Sequence, residues 1–248
     1  MIQLDSVHKS FGDTQVLNNI SAVFEAGKTN LIIGQSGSGK TVLLKCIVGL
    51  YDISDGEIFY NNRALSVMTR KEQKNIRTEM GMVFQAGALF DSMTVEQNIS
   101  FPLDIHSQMT KEEKTDRVNT CLHRVDLKNV NKLFPAEISG GMRKRVAIAR
   151  AIVLNPKYLF CDEPNSGLDP KTAMVIDELI QKITREFNMT TIVNTHDMNS
   201  VLQIGEKVIF LSEGYLLWEG SKEEIMDTDN KKLNEFVFAS PIMKKIKF

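Results

Sequence analysis

Apolar and polar positions along the chain change period several times, and each change marks an element. Residues 2–8 alternate loosely through Ile2, Leu4 and Val7, and residues 20–24 (Ile-Ser-Ala-Val-Phe) alternate again before the turn Glu-Ala-Gly27. A third strand-like piece, Glu57 to Tyr60, follows Asp55-Gly56. Together these predict a small antiparallel sheet. Thr29 to Ile33 reads differently, because Leu31, Ile32 and Ile33 run without alternation, as in a strand buried on both faces. Val42, Leu43, Leu44, Ile47, Val48 and Leu50 then recur at helical spacing and predict one apolar helix face.

From Thr94 to Leu154 the pattern is helical, punctuated by Pro102 and Pro135. Thr110-Lys-Glu-Glu113 is a capping box that starts a helix carrying Val118, Leu122 and Val125 on one side. Strand-like runs return at Tyr158 to Cys161 and Thr190 to Asn194. Between them lies a helix with Asp169 as N-cap, Pro170 in its first turn, and the stripe Val175, Ile176, Leu179, Ile180 and Ile183. Val208 to Leu211, Tyr215 to Trp218 and a second capping box, Ser221-Lys-Glu-Glu224, follow. Strands alternating with helices predict an α/β fold with a largely parallel sheet, a small antiparallel β-subdomain beside it and an inserted α-helical subdomain over about 94–155. One domain is expected over 1–238, with a tail at 239–248. Within the tail, Ser240 to Phe248 mixes lysines with Ile242, Met243, Ile246 and Phe248, as a frayed end or a docking arm.

Composition removes several function classes. The 248 residues suffice for a substantial core, and 42% hydrophobic with 25% charged residues is ordinary for a globular chain. A formal net charge of −1 leaves no electrostatic footprint for nucleic acid or anionic lipid. No apolar run reaches the ~18–20 residues of a membrane span. Met1 opens directly into a strand-like segment, so no signal peptide and a cytosolic location are expected. Cys46, Cys121 and Cys161 are too few and too scattered for a disulfide frame or zinc site.

The candidate chemistry begins at the end of the buried run. Gly34-Gln35-Ser36-Gly37-Ser38-Gly39-Lys40-Thr41 is a G-x-x-x-x-G-K-[ST] phosphate loop between a strand and a helix, the context that this motif requires. Its glycines let successive backbone N–H groups converge on phosphate oxygens, and the following helix adds its positive dipole end. Lys40 is placed to reach the β- and γ-phosphates and the Thr41 hydroxyl to ligate Mg²⁺, which implies a nucleoside-triphosphate site. Tyr158-Leu-Phe-Cys-Asp162-Glu163 is an apolar strand ending in two carboxylates. Asp162 is placed to hold Mg²⁺ and Glu163 to take a proton from an attacking water.

Ser139-Gly140-Gly141-Met142 opens a further helix. Alone, such a sequence is often only a cap, although its exposed N–H groups suit an anion. The order carries more: phosphate loop, Gln85 after the strand Met82-Val83-Phe84, Ser139-Gly140-Gly141, Asp162-Glu163, Ser166-Gly-Leu-Asp169, then His196.

In this series, over residues 1 to about 228, the chain resembles the ATP-binding-cassette ATPases. The resemblance implies a P-loop NTPase with a RecA-like core, ATP and Mg²⁺ as ligands, and ATP hydrolysis. It places Phe11 on adenine with Val16 nearby, Gln85 at the Mg²⁺ and attacking water, Ser139 to Met142 on the nucleotide of a second copy, Asp169 in the loop that reaches across the dimer, and His196 at the γ-phosphate. Met142 departs from the usual glutamine and Ile138 from the usual leucine, which removes the amide hydrogen bonds of that glutamine.

The family's two-lobed shape further implies a head-to-tail homodimer with ATP at the interface, held at the cytoplasmic face of the inner membrane by an integral permease. Residues 86–98, with Leu89, Phe90 and Met93, match the segment that receives the permease. Phe-Gln-Ala-Gly-Ala-Leu-Phe-Asp at 84–91, Ser-Gly-Gly-Met at 139–142 and the Arg-Lys-Arg after it are similar to the ATPases of Mla/Mce-type lipid transporters, implying an MCE lipid-binding partner. Amino-acid import and lipoprotein release stand as alternatives. A soluble cassette acting on DNA or ribosomes would show fused cassettes, a coiled-coil insertion or a basic groove, and the sequence has none.

Overall fold

In the computed structural model, which describes residues 1–239, the alternating N-terminal segments pair with one another. β1 (Ile2–Phe11) and β2 (Thr14–Phe24) form an antiparallel hairpin with Ile2 opposite Phe24 and Phe11 opposite Thr14. β3 (Thr29–Ile33) is buried at every position and feeds the glycine loop, after which α1 (Lys40–Val48) begins. β4 (Asp55–Tyr60) pairs with the other side of β1 and carries the short β5 (Arg63–Ala64). This sheet, ordered β2-β1-β4-β5, is the predicted antiparallel one.

The chain continues through α2 (Arg70–Thr78), β6 (Met80–Val83), α3 (Val95–His106), α4 (Lys111–Arg124) and α5 (Gly140–Ile152). β7 (Tyr158–Asp162), α6 (Pro170–Glu186), β8 (Thr190–Thr195) and α7 (Met198–Ile204) follow. β9 (Lys207–Ser212), β10 (Tyr215–Gly220) and α8 (Lys231–Val237) complete the described chain. The second sheet is ordered β10-β9-β3-β8-β7-β6, and every pair but β10-β9 is parallel. In β3, alternate residues serve different cores: Leu31 and Ile33 pack with α3, α5 and α6, whereas Ile32 packs with α1 and the antiparallel sheet. The parallel register ends with Ile33 beside Thr195 and Asp162 beside Asn194, so the loops after β3, β7 and β8 emerge at one edge. That edge gathers the candidate chemistry.

Several expectations change in detail. α1 stops at Val48 because Gly49 adopts a left-handed cap (φ 77), which turns Leu50 out to 55% exposure; Cys46 takes its place in the core. Pro102 does not punctuate but lies inside α3, where its missing N–H forfeits one helical bond without ending the helix. β6 ends at Val83, leaving Phe84 outside the strand. The Ser221–Glu224 box forms both reciprocal hydrogen bonds, yet it starts only a single 3₁₀ turn, Glu224–Met226. α2 has no buried residue and hence no apolar period to read; its only sequence signal is the Thr69–Glu72 capping box. The candidate docking arm, Ser240 to Phe248, lies outside the described residues.

Candidate active site

Between β3 and α1 the backbone follows a path that side chains forbid. At Gly34 (φ 152) a Cβ would lie 2.2 Å from the Leu211 carbonyl oxygen and 2.7 Å from Ser38 Oγ. Gly39 (φ 104) opens α1, and there a Cβ would meet Leu17 Cδ2 at 2.9 Å. Gln35, Ser36 and Gly37 are exposed at the mouth, with Lys40 buried beneath them. Lys40 Nζ donates to the carbonyls of Gly34 (2.8 Å) and Gln35 (2.9 Å). Burial pulls the Lys40 ammonium below the usual lysine range, and the carboxylates of Glu163 and Asp162 oppose that pull. Ser38 Oγ is buried without a hydrogen-bond partner, an unusual state that a phosphate oxygen can relieve.

β7 delivers the two carboxylates. Asp162 Oδ1 accepts from Thr41 Oγ1 at 3.1 Å and from Asn194 Nδ2 at 2.9 Å. Glu163 adopts a left-handed backbone (φ 47), a conformation that costs a non-glycine residue about 1–3 kcal/mol. Its N–H donates to the Asn194 carbonyl at 3.0 Å, which fixes that turn. Both oxygens of the Glu163 side chain are engaged: Oε1 lies 2.9 Å from His196 Nδ1, and Oε2 accepts from Gln85 Nε2 at 3.1 Å. Gln85 Nε2 also approaches Ser166 Oγ at 3.5 Å. Gln85, Glu163 and His196, distant in sequence, therefore converge on one carboxylate.

The second group of candidates assembles elsewhere. Ser139 caps α5, its Oγ accepting from Met142 N–H at 3.2 Å. A Cβ at Gly141 would lie 2.8 Å from Thr172 Cγ2, so the small residue lets α5 approach the start of α6. Asp169 caps α6, accepting from Thr172 N–H (3.0 Å) and Oγ1 (2.6 Å), and these bonds hold its carboxyl below the usual range. Ser139 to Met142 thus lies beside Asp169, and among the described residues no hydrogen bond joins it to the phosphate loop. The Met142 side chain packs partly buried against the core. Phe11, 44% exposed, stands edge-on to Tyr51 at 5.3 Å with Lys9 Nζ 4.7 Å above its ring. The Val16 carbonyl borders the Gly39 position.

The ABC transporter family model matches residues 17–166. The chain belongs to this family. The methionine import ATP-binding protein MetN of Campylobacter jejuni is 36% identical over 98% of the chain and 77% of the relative. The probable ribonucleotide transport ATP-binding protein mkl of Mycobacterium tuberculosis is 36% identical over 95% of the chain and 66% of the relative. Among solved structures, the dimeric post-hydrolysis state of the ATP-binding cassette MJ0796, bound to ADP and Pi, superposes with a TM-score of 0.80 at 33% identity. The match covers 90% of the chain and 99% of that cassette. The chain is accordingly an ABC ATPase with the P-loop NTPase fold.

Three features of the cassette escape a motif reading. Lys144 on α5 donates its ammonium to the Gln85 carbonyl, and Arg150 donates to the carbonyls of Gly87 and Ala88 at 2.8 Å each. Burial lowers the pKa of both cations. Asn165 Nδ2 donates to Asp177 Oδ2 (3.1 Å) and Ser200 Oγ (2.8 Å), tying the segment after Glu163 to α6 and α7. Asn98, fully buried, accepts from Phe90 N–H and donates to the carbonyls of Phe90, Met93 and Thr94. It shapes the segment where Phe90 is 41% exposed while Leu89 and Met93 are half-buried. For Asn98 and Lys144 the sequence signal is a polar residue at a buried helix position, whereas Asn165 lies in a loop and has no such signal. Among the described residues no helix is long and apolar enough to cross a membrane.

Proposed function

We propose that Glu163 is the general base of ATP hydrolysis, with His196 and Gln85 orienting it, and that the site is completed by a second copy of the chain. The observation that carries this reading is the double engagement of the Glu163 carboxylate at 2.9 Å and 3.1 Å. Two neighbours on opposite oxygens fix the carboxylate at the edge where the phosphate loop opens, so it can take a proton from water attacking the γ-phosphate. Lys40 exchanges its loop carbonyls for the β- and γ-phosphates. The N–H groups from Gly34 to Thr41 cradle the phosphates, and Phe11 stacks on the base with Val16 beside it.

Thr41 Oγ1 and the Asp162 carboxylate, joined by a hydrogen bond of 3.1 Å, would supply hard oxygen donors that suit magnesium, with Gln85 Oε1 as a third. A magnesium ion held there would neutralise charge on the phosphates of the nucleotide. The Ser139-Gly140-Gly141-Met142 helix start faces the nucleotide of the partner copy, with Asp169 reaching across. The γ-phosphate then bridges both chains, and its loss on hydrolysis removes that link.

The cargo reading rests on two short segments at the site and its rim. Residues 84–91 and 139–142 favour a phospholipid transporter of the bacterial envelope, with a permease seated on the Phe90 segment, an MCE protein as lipid carrier and the cassette on the cytoplasmic face of the inner membrane. The 36% identity to a methionine importer over nearly the whole chain favours a second reading, amino-acid import. Purification of the cassette with its membrane partners, followed by mass spectrometry of proteins and lipids, separates the two. A permease, an MCE protein and bound phospholipid are expected; a solute-binding protein and turnover stimulated by methionine would overturn the lipid reading.

A further inference from the structure

Asn194 is an unusual residue for its place. It lies in β8 between Asp162 on β7 and Ile32 on β3, fully buried, directly after Ile192 and Val193. A buried amide needs partners for both ends, yet its Oδ1 has none. Its orientation is nevertheless determined: Nδ2 donates to Asp162 Oδ1 at 2.9 Å, and a flipped amide would set Oδ1 against the carboxylate. Thr41 Oγ1 donates to the same Oδ1. The Asn194 main chain acts in parallel, its carbonyl accepting from Glu163 N–H at the left-handed turn.

We infer that Asn194 is a positioning residue for metal binding: its side-chain amide fixes the Asp162 carboxylate so that its second oxygen is presented toward the divalent cation of the Mg-ATP site. A carboxylate ligand without an outer hydrogen bond turns about its last torsion and meets the cation in only a fraction of its orientations. A donor held rigidly in the neighbouring strand removes that freedom, and loss of such outer contacts typically weakens metal affinity roughly tenfold to a hundredfold. Asn194 needs no contact with nucleotide for this. Its effect is therefore confined to metal-dependent binding, whereas a merely structural role would weaken nucleotide binding with and without metal.

The inference rests on the assignment of Asp162 to the metal, and the test separates the two. Asn194→Val, Asn194→Thr and Asp162→Ala are each compared with the wild type. Mn²⁺ binding is followed by electron paramagnetic resonance in the presence of a non-hydrolysable ATP analogue, and analogue binding is measured separately in EDTA. Asn194→Val is expected to weaken Mn²⁺ binding roughly tenfold or more while changing metal-free analogue affinity less than about twofold. Asn194→Thr keeps a hydroxyl donor in a strand-compatible side chain, folds if the valine variant does not, and is expected to fall between valine and wild type. Unchanged Mn²⁺ affinity in the Asn194 variants, or equal losses with and without metal, would overturn the inference provided that Asp162→Ala weakens Mn²⁺ binding. If Asp162→Ala also leaves Mn²⁺ affinity intact, the metal assignment of Asp162 fails, and the inference with it.

Discussion

His196 Nδ1 and Glu163 Oε1 lie 2.9 Å apart, joining the residue after β8 to the residue after β7. The two elements are adjacent in a parallel sheet, so their following loops necessarily emerge side by side. His196 is 61% exposed and Glu163 20%, so the pair sits at the mouth of the site, with the carboxylate the more shielded member. Glu163→Gln keeps the contacts with His196 and Gln85 sterically possible but removes the base. Turnover should fall by roughly a hundredfold or more with ATP binding retained, as single-turnover and equilibrium-binding assays would show. Near-normal turnover would exclude the assignment.

Lys40 is buried, partly desolvated and bonded only to loop carbonyls, so its charge is held ready for an anion. Replacing it with alanine removes a charge-assisted contact of about 1.5–3 kcal/mol, and ATP affinity should drop by about tenfold to a hundredfold. Fluorescent nucleotide titration without metal measures this directly. Affinity within twofold of wild type would contradict the role given to Lys40.

In the proposed binding mode Phe11 touches the base and not the phosphates. Phe11→Ala should weaken ATP binding by about tenfold, in line with aromatic–base stacking of about 1–3 kcal/mol. Inhibition by inorganic tripolyphosphate should stay unchanged, because that ligand offers no ring. Equal losses for both ligands would place Phe11 in the phosphate site rather than on the base.

Asp177 supplies a stability signature with a defined sign. Burial raises its carboxyl from 3.8 to about 6, with Asp197 adding repulsion and the donors Ser200 and Asn165 opposing. The folded protein therefore keeps a proton that the unfolded chain has lost between about pH 4 and 6, so this group's contribution to stability declines as pH rises through that window. At 1.36 kcal/mol per pH unit the decline amounts to roughly 3 kcal/mol. Asp177→Asn removes the titration, so chemical denaturation should show the variant gaining on wild type by up to that amount between about pH 4 and 7. A difference independent of pH would contradict the raised pKa.

Much of this fold was legible because its signals are local. The buried run at 29–33, the capping box at Thr110 and the Asp169-Pro170 helix start each state an element in a few residues, and the structure has all three. The phosphate loop was legible for the same reason, since both its glycines and its context are contiguous. What stayed hidden depends on packing between segments far apart in sequence. Asn194 gains its meaning from Asp162 on the neighbouring strand, and Asn165 from Asp177 and Ser200. Lys144 and Arg150 look like solvated charges until the 85–88 carbonyls are seen against them. α2 carries a single apolar side chain, Ile76, half-buried against the core, so no apolar period announced it. Leu50 misled because the helical spacing continues past a glycine that the backbone uses as a stop.

In the proposed mechanism the Ser139–Met142 segment of one chain completes the phosphate site of another. Sedimentation velocity of the Glu163→Gln protein at saturating Mg-ATP tests it most directly. A two-chain species is expected with ATP, single chains with ADP, and single chains with ATP once Ser139→Arg is added to block the cap of α5. A mass that stays the same with ATP, with ADP and with the added Ser139→Arg change would contradict it.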